Sequence, residues 1–256
     1  MKHLQTTLAI LACATASVCS AGPVPSVRIQ FDNPIFNGSG SDNVYITFNR
    51  PDNSTVTEHV AAGRFQGSGS LVVGVPESIF VDGLNDLYMY CYDVYQDISH
   101  GSLVNYTINL EGELDRTRDF LGAVNAVLNQ GKTKADPYAW LHPVNAFQGA
   151  AIQLGIWESK YDTNDAWSLT EGAFMASALE GATQAAWESF RNAIGTSPSI
   201  DKPFVMVLES DDKQDMITAD PPPPNDVPEP GTLALLGAAL AGLAYQRRKS
   251  RARSEA

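Results

Sequence analysis

The chain has 256 residues and a formal net charge of −12, from 29 acidic and 17 basic side chains. Setting aside Lys2, Glu255 and the five cations beyond Tyr245 leaves eleven basic against 28 acidic residues, a balance of −17 over residues 22–230. Such a field repels phosphate backbones, which excludes nucleic acid as a partner, and a segment of this length builds one sizeable core.

Residues 1–21 open with Lys2 and His3, continue through the apolar stretch 8–14 and close on Cys19-Ser20-Ala21. This is the pattern of a signal peptide cleaved before Gly22. Up to Leu110 the sequence alternates apolar and polar residues in short runs: Val27-Arg28-Ile29-Gln30-Phe31, Val44-Tyr45-Ile46-Thr47-Phe48, Leu71-Val72-Val73, Ile79-Phe80-Val81 and Leu87-Tyr88-Met89-Tyr90-Cys91-Tyr92. Asn37-Gly38-Ser39-Gly40 and Gly67-Ser68-Gly69 supply turn chemistry, so antiparallel strands are expected.

After Glu113 the period changes. Leu114, Phe120, Leu121, Val124, Val127 and Leu128 predict a helix over 115–129. Phe147, Ala150, Ala151, Leu154 and Trp157 predict a second over 145–159, carrying Gln153, and Ala186, Trp187 and Phe190 a third over 183–193. Residues 204–208 return as a strand. An acidic stretch then leads into Pro221-Pro222-Pro223-Pro224, a stiff extended spacer.

Residues 231–245 are uncharged and rich in Leu, Ala and Gly, and Arg247, Arg248 and Lys249 follow as a membrane stop. The positive-inside rule keeps these cations cytoplasmic and everything before them outside. Pro228-Glu229-Pro230 stands just before the apolar run, and motif, short helix and basic end together resemble the PEP-CTERM sorting signal of Gram-negative bacteria. The resemblance implies recognition by exosortase, an inner-membrane precursor, and delivery to the cell surface or extracellular matrix.

The expected organisation is a signal peptide (1–21), an ectodomain (22–210), an acidic, proline-rich linker (211–230), a transmembrane helix (231–245) and a basic tail (246–256). The expected fold class is α+β, with an antiparallel β-rich N-terminal half (22–112) and a mainly helical C-terminal half (113–210).

Cys13 and Cys19 fall in the signal peptide, which leaves Cys91 alone in the mature chain. An unpaired cysteine in an oxidising compartment is buried, modified or chemically employed. Two strings bear on it: Tyr90-Cys91-Tyr92-Asp93, ending a strand, and Ala151-Ile152-Gln153-Leu154-Gly155-Ile156-Trp157, on a helix. Together they resemble the thioester domains of Gram-positive surface adhesins, in which a Cys-x-Asp cysteine is joined to the glutamine of a Thr-Gln-x-Ala-Ile-Trp motif. The resemblance maps the cysteine onto Cys91 and the glutamine onto Gln153, with Ile152 where threonine is usual and Gly155 where alanine is usual. It implies a self-formed bond that captures an amine or hydroxyl target once, on a surface protein or a polysaccharide, without turnover.

A thiolate is a strong nucleophile, and attack on a carboxamide carbon expels ammonia to leave an acyl–sulfur bond. Tyr90, Tyr92, Asp93 and Trp157 are the expected supporting pocket, where aromatic walls keep water out. Two other readings stand beside this one. The domain is a passive structural or carbohydrate-binding matrix protein with an inert buried Cys91, or it is a cysteine hydrolase using His100 or His142 as base. His59 reads as a surface residue. Asp162-Thr163-Asn164-Asp165 and Asp211-Asp212 lack the EF-hand pattern and read as solvated acidic loops, and neither metal nor cofactor is expected.

Overall fold

The structure is a computed structural model that describes residues 22–163 and 166–219. The expected signal peptide, the sorting motif Pro228-Glu229-Pro230, the apolar run and the cations Arg247, Arg248 and Lys249 lie outside these residues. Among the described residues no helix is long and apolar enough to cross a membrane.

Nine strands and three helices follow in the order β1 (Ser26–Phe31), β2 (Ser41–Asn49), β3 (Thr55–Gly63), β4 (Phe65–Val73), β5 (Leu87–Cys91), β6 (Leu103–Asn109), α1 (Asp115–Leu128), α2 (Ala146–Tyr161), β7 (Phe174–Ser177), α3 (Gly181–Ala193), β8 (Met206–Glu209) and β9 (Met216–Thr218). Six strands close an antiparallel barrel in the order β1-β4-β5-β9-β8-β6, and β3-β2-β7 form a separate sheet. Strict alternation makes the walls: Val27, Ile29 and Phe31 of β1 and Val44, Ile46 and Phe48 of β2 are buried while their neighbours face out.

The expectation of a β-rich first half and a helical second half is overturned. Residues 113–219 contain the three helices, but also β7, which completes the smaller sheet, and β8 and β9, which close the barrel between β6 and β5. The helices therefore sit in the middle of the chain, between strands of both sheets. Residues 79–81, expected as a strand, instead comprise the last residue of a 3₁₀ turn at Glu77–Ile79 and the bend and turn that follow it.

Helix α2 is the axle of the fold. Every residue from Gly149 to Ser159 is buried, because α1 and α3 pack on one side and strands of both sheets on the other. A helix enclosed all round needs apolar residues on every face, and its sequence has them. Its start is capped by Asn145, whose side chain accepts the Gln148 N–H at 2.9 Å. Gly155 lets α1 approach: a Cβ there would lie 1.9 Å from Cζ of Phe120, whose ring is held by Trp167, Trp187 and Phe190. This close approach leaves no room for a side chain at position 155. Helix α3 has no capping side chain of its own, and the buried Asp42 of β2 takes that role. Asp42 accepts from Thr183 Oγ1 at 2.6 Å and from the Glu180 N–H at 3.0 Å.

Candidate functional site

Cys91 is the last residue of β5, where the strand leaves the barrel wall and meets the middle of α2. Tyr90 and Cys91 pair with Ile217 and Met216 of β9, so the turn between β8 and β9 lies directly beside the cysteine. Cys91 is 1 % exposed and Gln153 0 % exposed. The Gln153 carboxamide is spent on the Cys91 main chain: Oε1 accepts the Cys91 N–H at 2.8 Å, and Nε2 donates to the Cys91 carbonyl at 2.7 Å. A side chain thus supplies, at the end of the strand, the two bonds that a neighbouring strand would otherwise make.

The sulfur faces a different glutamine. Cys91 Sγ lies 2.8 Å from Oε1 of Gln214, on the β8–β9 turn, and Gln214 Nε2 donates to the Asp93 carbonyl at 2.6 Å. Two further bonds lace this turn to the segment after Cys91, and a third ties it to β6. Tyr92 N–H donates to the Asp215 carbonyl at 2.7 Å, Asp215 N–H to Asp93 Oδ2 at 2.9 Å, and Tyr106 Oη to the Gln214 carbonyl at 3.0 Å. Gln214 had no signal in the sequence, since it sits in an acidic run that reads as linker. Only the pairing of β9 with β5 brings it to the sulfur.

The expected supporting residues gather here. Trp157 Nε1 donates to the Asp93 carbonyl at 3.2 Å, next to the Gln214 donor. Tyr90 is fully buried, stacks on Trp140 and donates to its carbonyl at 3.1 Å. Tyr92 Oη accepts the Leu114 N–H at 3.0 Å, and Lys160 Nζ lies 3.9 Å from the centre of its ring. Burial, and secondarily the charge of Asp93, push the Cys91 thiol well above the ordinary cysteine value. Burial first of all raises Asp93 to about 6, against the pull of the Asp215 N–H and of Lys160. Burial lowers Lys160.

A cavity of about 280 Å³ reaches this chemistry from outside. Cys91, Gln214, Trp157 and Phe65 line it, together with the β3 residues Glu58, His59, Val60 and Ala61 and with Gln96, Asp97, Ile98 and His100. Gln153 does not line it. His100 accepts the Ile35 N–H on Nδ1 at 2.9 Å, so its neutral ring carries the proton on Nε2. His142 lies elsewhere, with Nε2 3.1 Å from Asp82 Oδ1 and Nδ1 3.4 Å from Asp136 Oδ2. The hydrogen-bond partner of the thiol is thus a carboxamide, with His100 elsewhere on the lining of the same cavity. His59 stands in the middle of β3, exposed and stacked on Tyr45. Among the described residues no cluster of His, Cys, Asp or Glu has metal-binding form.

Residues 226–249 match the PEP-CTERM protein-sorting motif. No curated protein and no solved structure is detectably similar to the chain. What the matched motif establishes is an exported protein, made as a membrane-anchored precursor and sorted through exosortase processing.

Proposed function

We propose that this exported domain is a single-use covalent capture device for the surface or matrix of a Gram-negative bacterium, built on an internal thioester between Cys91 and Gln214. The observation that carries the reading is the hydrogen bond that the Cys91 thiol donates to Gln214 Oε1 at 2.8 Å, which holds the carboxamide beside the sulfur on the lining of a cavity open to the exterior. Gln153, expected to be the acyl partner, acts here as the clamp that fixes the Cys91 backbone.

In the forming step Sγ attacks Cδ of Gln214, the C–S bond forms, the C–N bond breaks, and the thiol proton leaves with the nitrogen as ammonia. Burial of both partners protects the acyl–sulfur bond from water. In the capture step an amine or hydroxyl of a surface protein or polysaccharide enters the cavity and attacks the same carbon. The target becomes attached through Gln214, and the Cys91 thiol is released. Each molecule acts once and nothing turns over.

The test is the intact mass of the exported protein. A deficit of one ammonia, abolished in Cys91→Ala and in Gln214→Ala and replaced by a methylamine adduct on treatment, is the expected result. A deficit that survives Gln214→Ala but disappears in Gln153→Ala would return the bond to Gln153. Full mass with a titratable thiol after unfolding would leave Cys91 a passive core residue of a matrix protein.

A further inference from the structure

The smaller sheet ends on β3, which among the described residues pairs with β2 alone. The Arg50 N–H donates to the Ser54 carbonyl at 2.8 Å and closes the β2–β3 turn. In an antiparallel ladder, hydrogen-bonded and non-bonded pairs alternate. Counting from that bond, Phe48–Val56, Ile46–Glu58 and Val44–Val60 are the bonded pairs. The main-chain N–H and C=O groups of Thr57, His59 and Ala61 therefore point away from β2, along the free edge.

That edge borders the reactive cavity. Four consecutive β3 residues, Glu58 to Ala61, form one wall, and consecutive residues line a space together only when the strand lies side-on to it. Residues of the 96–100 segment, pinned to Ile35 through His100, line the same space, as do the buried Cys91 and Gln214. An unpaired edge of nine residues invites another strand. Asp97 on the cavity lining and the balance of −17 over residues 22–230 set the sign of that partner, since Glu58 is already paired with Arg50 at 3.4 Å.

We infer that the capture target is a positively charged polypeptide that adds to β3 as an extra strand along Thr57–Ala61, so that one of its side chains is directed into the cavity toward Cys91 and Gln214. Main-chain bonds supply affinity and register, and the cavity selects the side chain that alternation aims inward. The covalent step rests on the thioester reading, whereas the docking step does not, and the two are tested apart.

Docking is measured on the Cys91→Ala protein, which has no bond to form. The probe is an acetylated, amidated peptide of sequence Lys-Val-Thr-Lys-Thr-Val-Lys, compared with an analogue N-methylated at alternate residues and with dextran. The expected result is slowed amide hydrogen exchange at Thr57, His59 and Ala61 with the peptide. Affinity for the analogue should be weaker by about tenfold or more, as the loss of two or three main-chain bonds predicts. Thr57→Pro, whose missing N–H faces the free edge and spares the β2 ladder, should weaken the peptide to a similar degree. Equal binding of peptide and analogue, or protection by dextran and not by peptide, would overturn strand addition. Full intact mass in the wild-type protein together with peptide protection in Cys91→Ala would remove the thioester and leave the docking edge standing.

Discussion

Replacing Gln153 with leucine isolates what the clamp contributes. The two residues have similar volume, so the change removes two hydrogen bonds more than it opens a cavity. It orphans the Cys91 N–H, now bonded at 2.8 Å, and the Cys91 carbonyl, now bonded at 2.7 Å, at a residue 1 % exposed. A buried main-chain group without a partner costs about 1–3 kcal/mol, so the pair costs about 2–6 kcal/mol. Relief from burying a carboxamide, with the gain from an apolar side chain, offsets part of this, leaving a loss of about 2–4 kcal/mol. For a domain of this size that lowers Tm by about 5–15 °C. Urea titration with linear extrapolation, beside thermal melts followed by circular dichroism, measures it. Gln153→Glu separates bonding from packing, because its carboxyl donates to the Cys91 carbonyl only while protonated. Burial raises that carboxyl above its unfolded value, so the variant approaches wild-type stability at low pH and loses it as pH rises. A Gln153→Leu loss below about 0.5 kcal/mol, the range of ordinary surface substitutions, would refute the clamp.

Gly155→Ala would gain about 1 kcal/mol of helix propensity in an open helix, but here the new Cβ meets Phe120 at 1.9 Å and the expected outcome is a net loss of about 1–3 kcal/mol in the same urea titration. Gly181→Ala, at the start of α3 with nothing within 4 Å of the new Cβ, should raise stability slightly and serves as its control. Glu158 is held at about 8, chiefly by burial and with Asp162 adding to the rise. A folded value above the unfolded one near 4.3 means that its contribution is complete below about pH 4 and is lost as pH rises through about 8. Melting temperatures should therefore fall from about pH 5 to about pH 8 in the wild-type protein and fall less in Glu158→Gln.

Periodicity located the helices closely: 115–129 became Asp115–Leu128, 145–159 became Ala146–Tyr161, and 183–193 became Gly181–Ala193. Each carries enough turns for its apolar spacing to register. Alternation made β1, β2 and β5 legible in the same way, whereas β3 went unpredicted and Gly67-Ser68-Gly69, expected as a turn, lies inside β4, where strand pairing overrides the turn propensity of glycine. Barrel closure was not, because β9 has three residues, all buried, and a run that short has no period. Its place beside β5 comes from pairing across more than a hundred residues. The site followed the same division. Cys91 and Gln153 stood out by type and context, and the structure does bring them together, though through the backbone of the cysteine. Gln214 lies in Asp211-Asp212-Lys213-Gln214-Asp215, whose composition describes a solvated loop. Only the fold turns one side of that loop toward the sulfur.

The position of β9 also decides how the domain bears load. Tension applied through the C-terminal side would enter at Thr218, the last residue of that strand, and run along it toward the Gln214 turn. Its hydrogen bonds to β5 on one edge and β8 on the other lie across the direction of pull, so they resist together in shear rather than opening one after another. Cys91 stands opposite Met216, and the contact of its sulfur with Gln214 lies just beyond the strand's far end. A captured target and the cell would then pull on the barrel from opposite ends of one three-residue strand, and the grip of that strand would set the strength of the whole attachment.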